Sequence, residues 1–231
     1  MKALLFASFT FVFALPAGAQ VSVGYPPNAS PFRDLEFHQE LTAFGGYFHG
    51  SRDAAGVAPQ SGPLAGIRYE ITVGGPLQLV ARAARANTDR NVIDPTKTDA
   101  ARTLGTLSWP IYLADVGLGL NLTGQRSWHG LVPLAHTGFG IVTDAGKKVE
   151  EDPFRMGTTF AISFGTGLRF VTGGRFHFRA DGGMYMYQIK YPSAYYTAPE
   201  GGTAVVESSQ AKNSWKRNPA LTFGVSYFLF H

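Results

Sequence analysis

The chain has 231 residues, a net charge of +4, 28 glycines, 13% aromatics, 16% charged residues and no cysteine. Ordinary soluble domains carry about 25% charged residues, yet the mean hydropathy here is only −0.02, so charges are scarce without long apolar runs. The missing cysteines exclude a disulfide scaffold, a thiolate zinc site, a Cys nucleophile and a lipoprotein anchor, and the mild charge argues for no nucleic-acid partner.

Residues 1–19 place Lys2 before an apolar stretch from Ala3 to Leu15, then Ala17, Gly18 and Ala19 ahead of Gln20. This is the pattern of a secretory signal peptide, and its apolar run is shorter than the roughly 20 residues a spanning helix needs. Residues 20–35, rich in Pro, Ser and Asn, read as a short periplasmic lead-in.

From residue 36 onward, period-2 alternation predicts strands at 36–48, 64–73, 77–87, 106–122, 130–142, 158–171, 175–190 and 218–230. Residues 158–171 are the clearest case: Phe160, Ile162, Phe164, Leu168 and Phe170 share one parity, and Thr159, Ala161, Ser163, Gly165, Gly167 and Arg169 the other. The connections 49–63, 88–105, 143–157 and 191–217 are long, whereas 74–76, 123–129 and 172–174 are short. An antiparallel meander puts these two sets at opposite ends, as outer-membrane barrels do. The expected fold is therefore all-β: a closed, antiparallel, eight-stranded transmembrane β-barrel, up-and-down in topology, spanning 36–231.

Parity also assigns the faces. Charged and small residues share one side of the strands, and bulky apolar residues the other. Eight strands enclose an interior only just wide enough for side chains, so the small, polar set belongs inside and the bulky set outside. Tyr47, Phe48, Tyr112, Tyr185 and Tyr187 then form a girdle at the outer strand ends, and Phe37, Phe170, Phe176, Tyr227 and Phe230 one at the inner ends. Trp109 beside Pro110, and an apparent phase change at Gly182-Gly183, fit poorly; a bulge is expected at each.

The C-terminal run Leu221–His231 resembles the terminal strand of outer-membrane β-barrels. Thr222, Gly224, Tyr227 and Leu229 match its spacing, and Phe230-His231 departs from it, since that family usually stops at an aromatic. The resemblance, to the small OmpA/OmpX-like type, implies an integral protein of the bacterial outer membrane, inserted by the barrel-assembly machinery. Its surroundings would be outer-membrane lipid and lipopolysaccharide. It implies no cofactor, and no peptidoglycan-binding domain is expected after the last strand.

Several clusters could carry chemistry. Glu36, His38, Glu40, Arg68, Glu70, Arg82, Asp115, Arg169, His177, Arg179 and Asp181 share the inward parity. They could form a proton or ion path, or a metal site of two carboxylates and a histidine. They could equally be a network of ion pairs that fills the lumen. Buried charges must be paired and both signs are well represented, which favours the network. At least one of Arg68 and Arg169 should then meet Glu40, Glu70, Asp115 or Asp181.

Lipid A deacylases of this architecture place Ser two residues after His on the lipid-facing rim, with an acid nearby. His38, His136 and His177 lack that Ser and face inward, and His129 lies at the short-turn end. His49-Gly50-Ser51 with Asp53 is a partial match that an ordinary loop start explains as well. No catalytic residue or metal ligand is assigned. The pairs Gly117/Gly119, Gly138/Gly140 and Gly165/Gly167 lack a third glycine and a following helix, so close packing explains them better than a phosphate cradle. Tyr191, Tyr195, Tyr196, Lys212, Trp215, Lys216 and Arg217 give the last loop an aromatic and basic surface, and 143–157 carries Lys147, Lys148, Glu150, Glu151 and Asp152. These loops could bind lipopolysaccharide phosphates, glycans or a protein. The expected role is structural or surface-interacting, with a lipid-modifying enzyme or a narrow channel as alternatives.

Overall fold

A computed structural model describes residues 30–35, 38–146, 149–207, 209 and 213–230. The expected signal peptide, most of the expected lead-in, Glu36, Phe37, Lys147, Lys148 and Lys212 lie outside the described residues, as does the side chain of Phe230. In chain order the strands are β1 (Phe32–Asp34), β2 (Gln39–Phe48), β3 (Gly62–Gly74), β4 (Leu77–Ala86), β5 (Asp89–Ile93) and β6 (Thr103–Ser108). Then follow β7 (Ile111–Asn121), β8 (Arg126–Trp128), β9 (Leu131–Asp144), β10 (Thr158–Val171), β11 (Phe176–Lys190) and β12 (Asn213–Phe230).

Eight of these close a barrel. The antiparallel pairs run β2–β3–β4–β7–β9–β10–β11–β12, and β12 returns to β2 from Ala220↔Phe48 to Phe228↔Glu40. The four others extend its rims. β1, within the expected lead-in, pairs with β8 in the connection between β7 and β9, and β5 pairs with β6 in the connection between β4 and β7.

The faces fall as parity requires. Phe139, Phe160, Phe176, Phe178 and Phe223 are each more than half exposed on the outer wall, while Arg68, Glu70 and Arg169 are 3% exposed or less. An apolar belt outside and a polar filling inside suit a wall surrounded by hydrocarbon, and closure leaves that wall no open edge.

Four expectations need correction. No bulge interrupts β11: Gly182 and Gly183 pair in continuous register with Thr166 and Gly165 on one side and with Leu221 and Ala220 on the other. The phase stays constant, and what changes is the lining. His177, Arg179 and Asp181 face the lumen in one half of the strand, and Tyr185, Tyr187 and Ile189 in the other. Tyr185, Tyr187 and Phe48 are thus interior residues rather than girdle residues, while Tyr47 and Tyr112 do face outward. Trp109 marks no bulge either. Pro110 donates no backbone hydrogen bond, and the chain breaks there between β6 and β7. His38 precedes β2 and is exposed at the rim, so it does not enter the lumen.

At the long-loop end, the loops fold into the mouth instead of standing in solvent. Inward residues of the strand ends (Phe48, Leu64, Ile111, Val142, Tyr187, Ile189) share one buried cluster with Val57, Trp109, Phe154, Tyr195 and Val206 from all four long connections. Trp109 is fully buried at its centre. Its indole N–H donates to Asp144 (3.1 Å), and its backbone exchanges bonds with Thr88. Gly146 lies against the ring, where a Cβ would come within 2.1 Å of it. Replacing Trp109 with alanine should cost about 3–5 kcal/mol, the usual penalty for emptying a buried aromatic site. Thermal unfolding with limited proteolysis should show the long loops cut first while strand content persists.

Candidate functional site

The lumen on the short-turn side of the Tyr185 layer holds four arginines, Arg68, Arg82, Arg169 and Arg179, and four acids, Glu40, Glu70, Asp115 and Asp181. Glu70 is the hub. Its Oε2 accepts from Arg169 Nη2 (2.7 Å) and Arg179 Nη1 (2.6 Å), and its Oε1 lies 3.9 Å from Arg68 Nη1. Asp181 takes Arg179 Nε (2.8 Å) and Arg68 Nη1 (3.3 Å), and Glu40 sits 2.9 Å from Arg169. Arg68 and Arg169 therefore both meet acids.

A second group lies beside the first. Arg82 donates to Asp115 (2.7 Å), to Ser163 Oγ (2.7 Å) and to His136 Nε2 (2.9 Å). A guanidinium only donates, so His136 accepts through Nε2. His177 packs its ring 3.8 Å from Phe228 and accepts the Thr172 backbone N–H through Nδ1, clasping the β10–β11 turn.

The paired glycines make this packing possible. A Cβ on Gly167 would lie 2.2 Å from Asp181 Oδ1, and one on Gly165 2.9 Å from the His136 ring. What space is left is a cavity of about 20 Å³ among Arg68, Arg82, His136, Ser163 and Asp181, room for one water. Among the described residues no group of three or more His, Asp or Glu is placed to hold a metal. Glu40 is engaged by Arg169, and His38 stands outside the lumen.

Aspartates organise the cap. Asp152 accepts Arg90 Nη1 (2.6 Å), Tyr195 Oη (2.7 Å) and the backbone N–H groups of Ile93 and Phe154. Arg90 lies 4.1 Å above Trp109 and 5.4 Å from Phe154. Asp53 accepts Tyr191 Oη (2.9 Å) and the N–H groups of Ala55 and Ala58. Burial, and then the adjoining carboxylates, push both tyrosine hydroxyls above their ordinary values.

Tyr191 and Tyr195 are therefore not surface groups, as the sequence led us to expect. They are anchors, because each hydroxyl has a carboxylate partner that water would otherwise supply. Tyr196 is half-buried, Lys216 donates to the Arg52 carbonyl, and Trp215 lies outward on β12 rather than in a loop. In the terminal strand, Thr222 and Gly224 face inward and Tyr227 and Leu229 outward, with a register shift between Phe228 and Phe230.

The His49-Gly50-Ser51 trio is not assembled. Ser51 donates to the Arg217 carbonyl and Asp53 serves Tyr191. His49 Nδ1 instead meets Ser61 Oγ at 3.0 Å, beside an open groove of about 740 Å³. No sequence spacing marked that pair, since β2 and β3 bring it together across a loop.

The sequence matches no protein-family model and no curated protein. The fold is similar to that of several solved structures, among them these two. One is Neisserial surface protein A, at 12% identity and TM-score 0.54, over 83% of this chain and 97% of that one. The other is outer membrane protein OprG from Pseudomonas aeruginosa, at 11% identity and TM-score 0.52, over 86% and 99%. This chain has the fold of the small eight-stranded outer-membrane barrels. Such identities establish the architecture alone.

Two outcomes follow from this geometry. Glu70→Ala leaves three buried guanidinium groups short of a carboxylate, and removing one partner of a buried pair costs about 3–5 kcal/mol. The variant should insert normally but lose its heat-resistant folded gel band at a lower temperature than the parent.

The second outcome concerns pH. Asp99 on the β5–β6 connection accepts the Thr203 hydroxyl at both carboxylate oxygens (2.8 and 2.9 Å), and Arg102 donates both to Asp99 and to the Thr203 carbonyl (2.7 Å). The Thr203 hydroxyl and then Arg102 hold the Asp99 carboxyl below the usual carboxylate range. Such a group stabilises the attachment above its ordinary value and loses that contribution as pH falls through the depressed one. Protection factors at 201–204, corrected for the intrinsic exchange rate at each pH, should therefore fall as the solution is acidified past the carboxylate range, and Asp99→Asn should show the lower protection already at neutral pH.

Proposed function

We propose that the protein is an integral outer-membrane barrel whose role is carried by its folded loop cap, presented outside the cell as a surface for interaction. The lumen is a structural filling in this reading. The long connections face outward, the short turns face the periplasm, and lipopolysaccharide and the barrel-assembly machinery are the partners of its membrane life. One observation carries it. The interior is occupied from wall to wall, by paired charges in one half and by the apolar cluster beneath the cap in the other. Wide porins of 16–18 strands leave a water channel, and here a one-water cavity takes its place.

Planar bilayers containing the purified protein should show no steady conductance, and Asp152→Ala, which loosens the cap alone, should stay closed because the charged half still blocks the path. Large, stable openings in the parent would overturn the reading. A second reading, lipid modification, rests on the His49–Ser61 contact. Membranes carrying Ser61→Ala should show the same lipid composition as the parent, and a difference would favour catalysis.

A further inference from the structure

The outer wall is mostly bulky, and among its smaller outward positions one set opens a trough. On the outward parity of β4 and β7 the register sets Arg85 beside Tyr112, Ala83 beside Ala114, and Ala81 beside Val116. Three alanines thus run down the wall where neighbouring strands present large side chains. They leave a trough of about 390 Å³, flanked by Ile67 and Tyr69 on one side and by Val116 and Phe139 on the other. That volume is within the usual range of small-molecule sites.

Arg85 stands at the long-loop end of this trough. It is exposed, and its guanidinium lies 5.7 Å from the centre of the Tyr112 ring. It forms no ion pair among the described residues. Stacking engages one face of the guanidinium and leaves its in-plane N–H groups available, and those groups match the oxygens of a phosphate. From Arg85 down to Ala81 is four residues, about 13 Å of strand. With the strands tilted by about 40° this spans about 10 Å of depth, about a third of the roughly 30 Å hydrocarbon core.

We propose that this face holds one anionic phospholipid, a lipid whose phosphate has no headgroup cation to offset it, with that phosphate on Arg85 and one acyl chain lying in the alanine trough. The proposal rests on the membrane-spanning reading above. Within a bilayer the hydrophobic effect does not distinguish one apolar surface from another. Selection then comes from shape, through the dispersion contacts a concave wall adds along a chain, and from charge at the chain's head. The trough supplies the first and Arg85 the second. A second copy of this chain fits less well, because two convex walls would meet at a hollow and leave Arg85 without an anion.

The test uses the full chain in phosphatidylcholine vesicles doped with phosphatidylglycerol carrying a photoreactive acyl chain. Insertion is verified first by gel mobility and circular dichroism, so a failure to insert counts against the membrane reading and is separated from a failure to bind. Labelling should concentrate on β4 and β7. Ala83→Phe, and independently Ala114→Leu, fill the trough and should lower that yield several-fold. Arg85→Gln should erase the preference for phosphatidylglycerol over an equally photoreactive phosphatidylcholine while the trough still labels. Excess inorganic phosphate should leave the labelling in place, since the chain as well as the ion is held. Labelling spread evenly around the wall, yields unmoved by the filling variants, displacement by inorganic phosphate, or chain-to-chain cross-links on this face would each overturn the proposal.

Discussion

Everything in this molecule follows from the narrowness of an eight-stranded wall. Such a cylinder must be filled by its own side chains, and whatever fills it has no bulk water to fall back on. Moving an ion from water into such a setting costs several kcal/mol even after relaxation. The cost is offset here by matching four arginines with four acids and by letting Glu70 serve three of the arginines. The glycines beside Asp181 and His136 give those side chains the width they need.

The two halves of the lumen solve the same filling problem differently. Away from the loops the lining is charged, and each charge is met by its opposite. Towards the loops it becomes aromatic and aliphatic, and the connections themselves complete the core. Asp53, Asp144 and Asp152 each accept bonds from another connection or from the strand beside it. Each pins a long connection that would otherwise carry the entropy of a free loop. The mouth is closed by packed structure instead of by a mobile lid.

Much of this was legible in the alternation of residues. Arg68, Glu70, Arg169 and Asp181 share a parity that only a closed barrel could place together, and the β10 bounds coincide with the predicted 158–171. Parity reads the direction of a side chain and not the character of its surroundings. Tyr185 and Tyr187 looked lipid-facing because they are aromatic, yet they line the half of the lumen that the cap makes apolar. Tyr191 and Tyr195 looked solvent-facing because they lie in a loop, and their partners Asp53 and Asp152 are distant in sequence. Trp109 and the β5–β6 hairpin show the same limit: a strand signal that runs past Pro110 does not say which sheet the residues join.

The ion pairs also carry information about the order of events. Arg169 and Glu70 stand 99 residues apart, Arg179 and Glu70 109, and Arg68 and Asp181 113. The wall itself is knitted from neighbouring hairpins, apart from the β12–β2 seam that joins its two ends. Contacts of such long span gain nothing until the intervening chain has been drawn in, and short-range pairing lowers that entropic barrier first. These cross-lumen pairs, unlike Arg179–Asp181 within β11 and Arg82–Asp115 on neighbouring strands, therefore act as a bolt thrown after the cylinder has shut. Bonds absent from the folding transition state leave the rate of closure alone and slow reopening, so the lumen contributes persistence to a structure that its strands have already assembled.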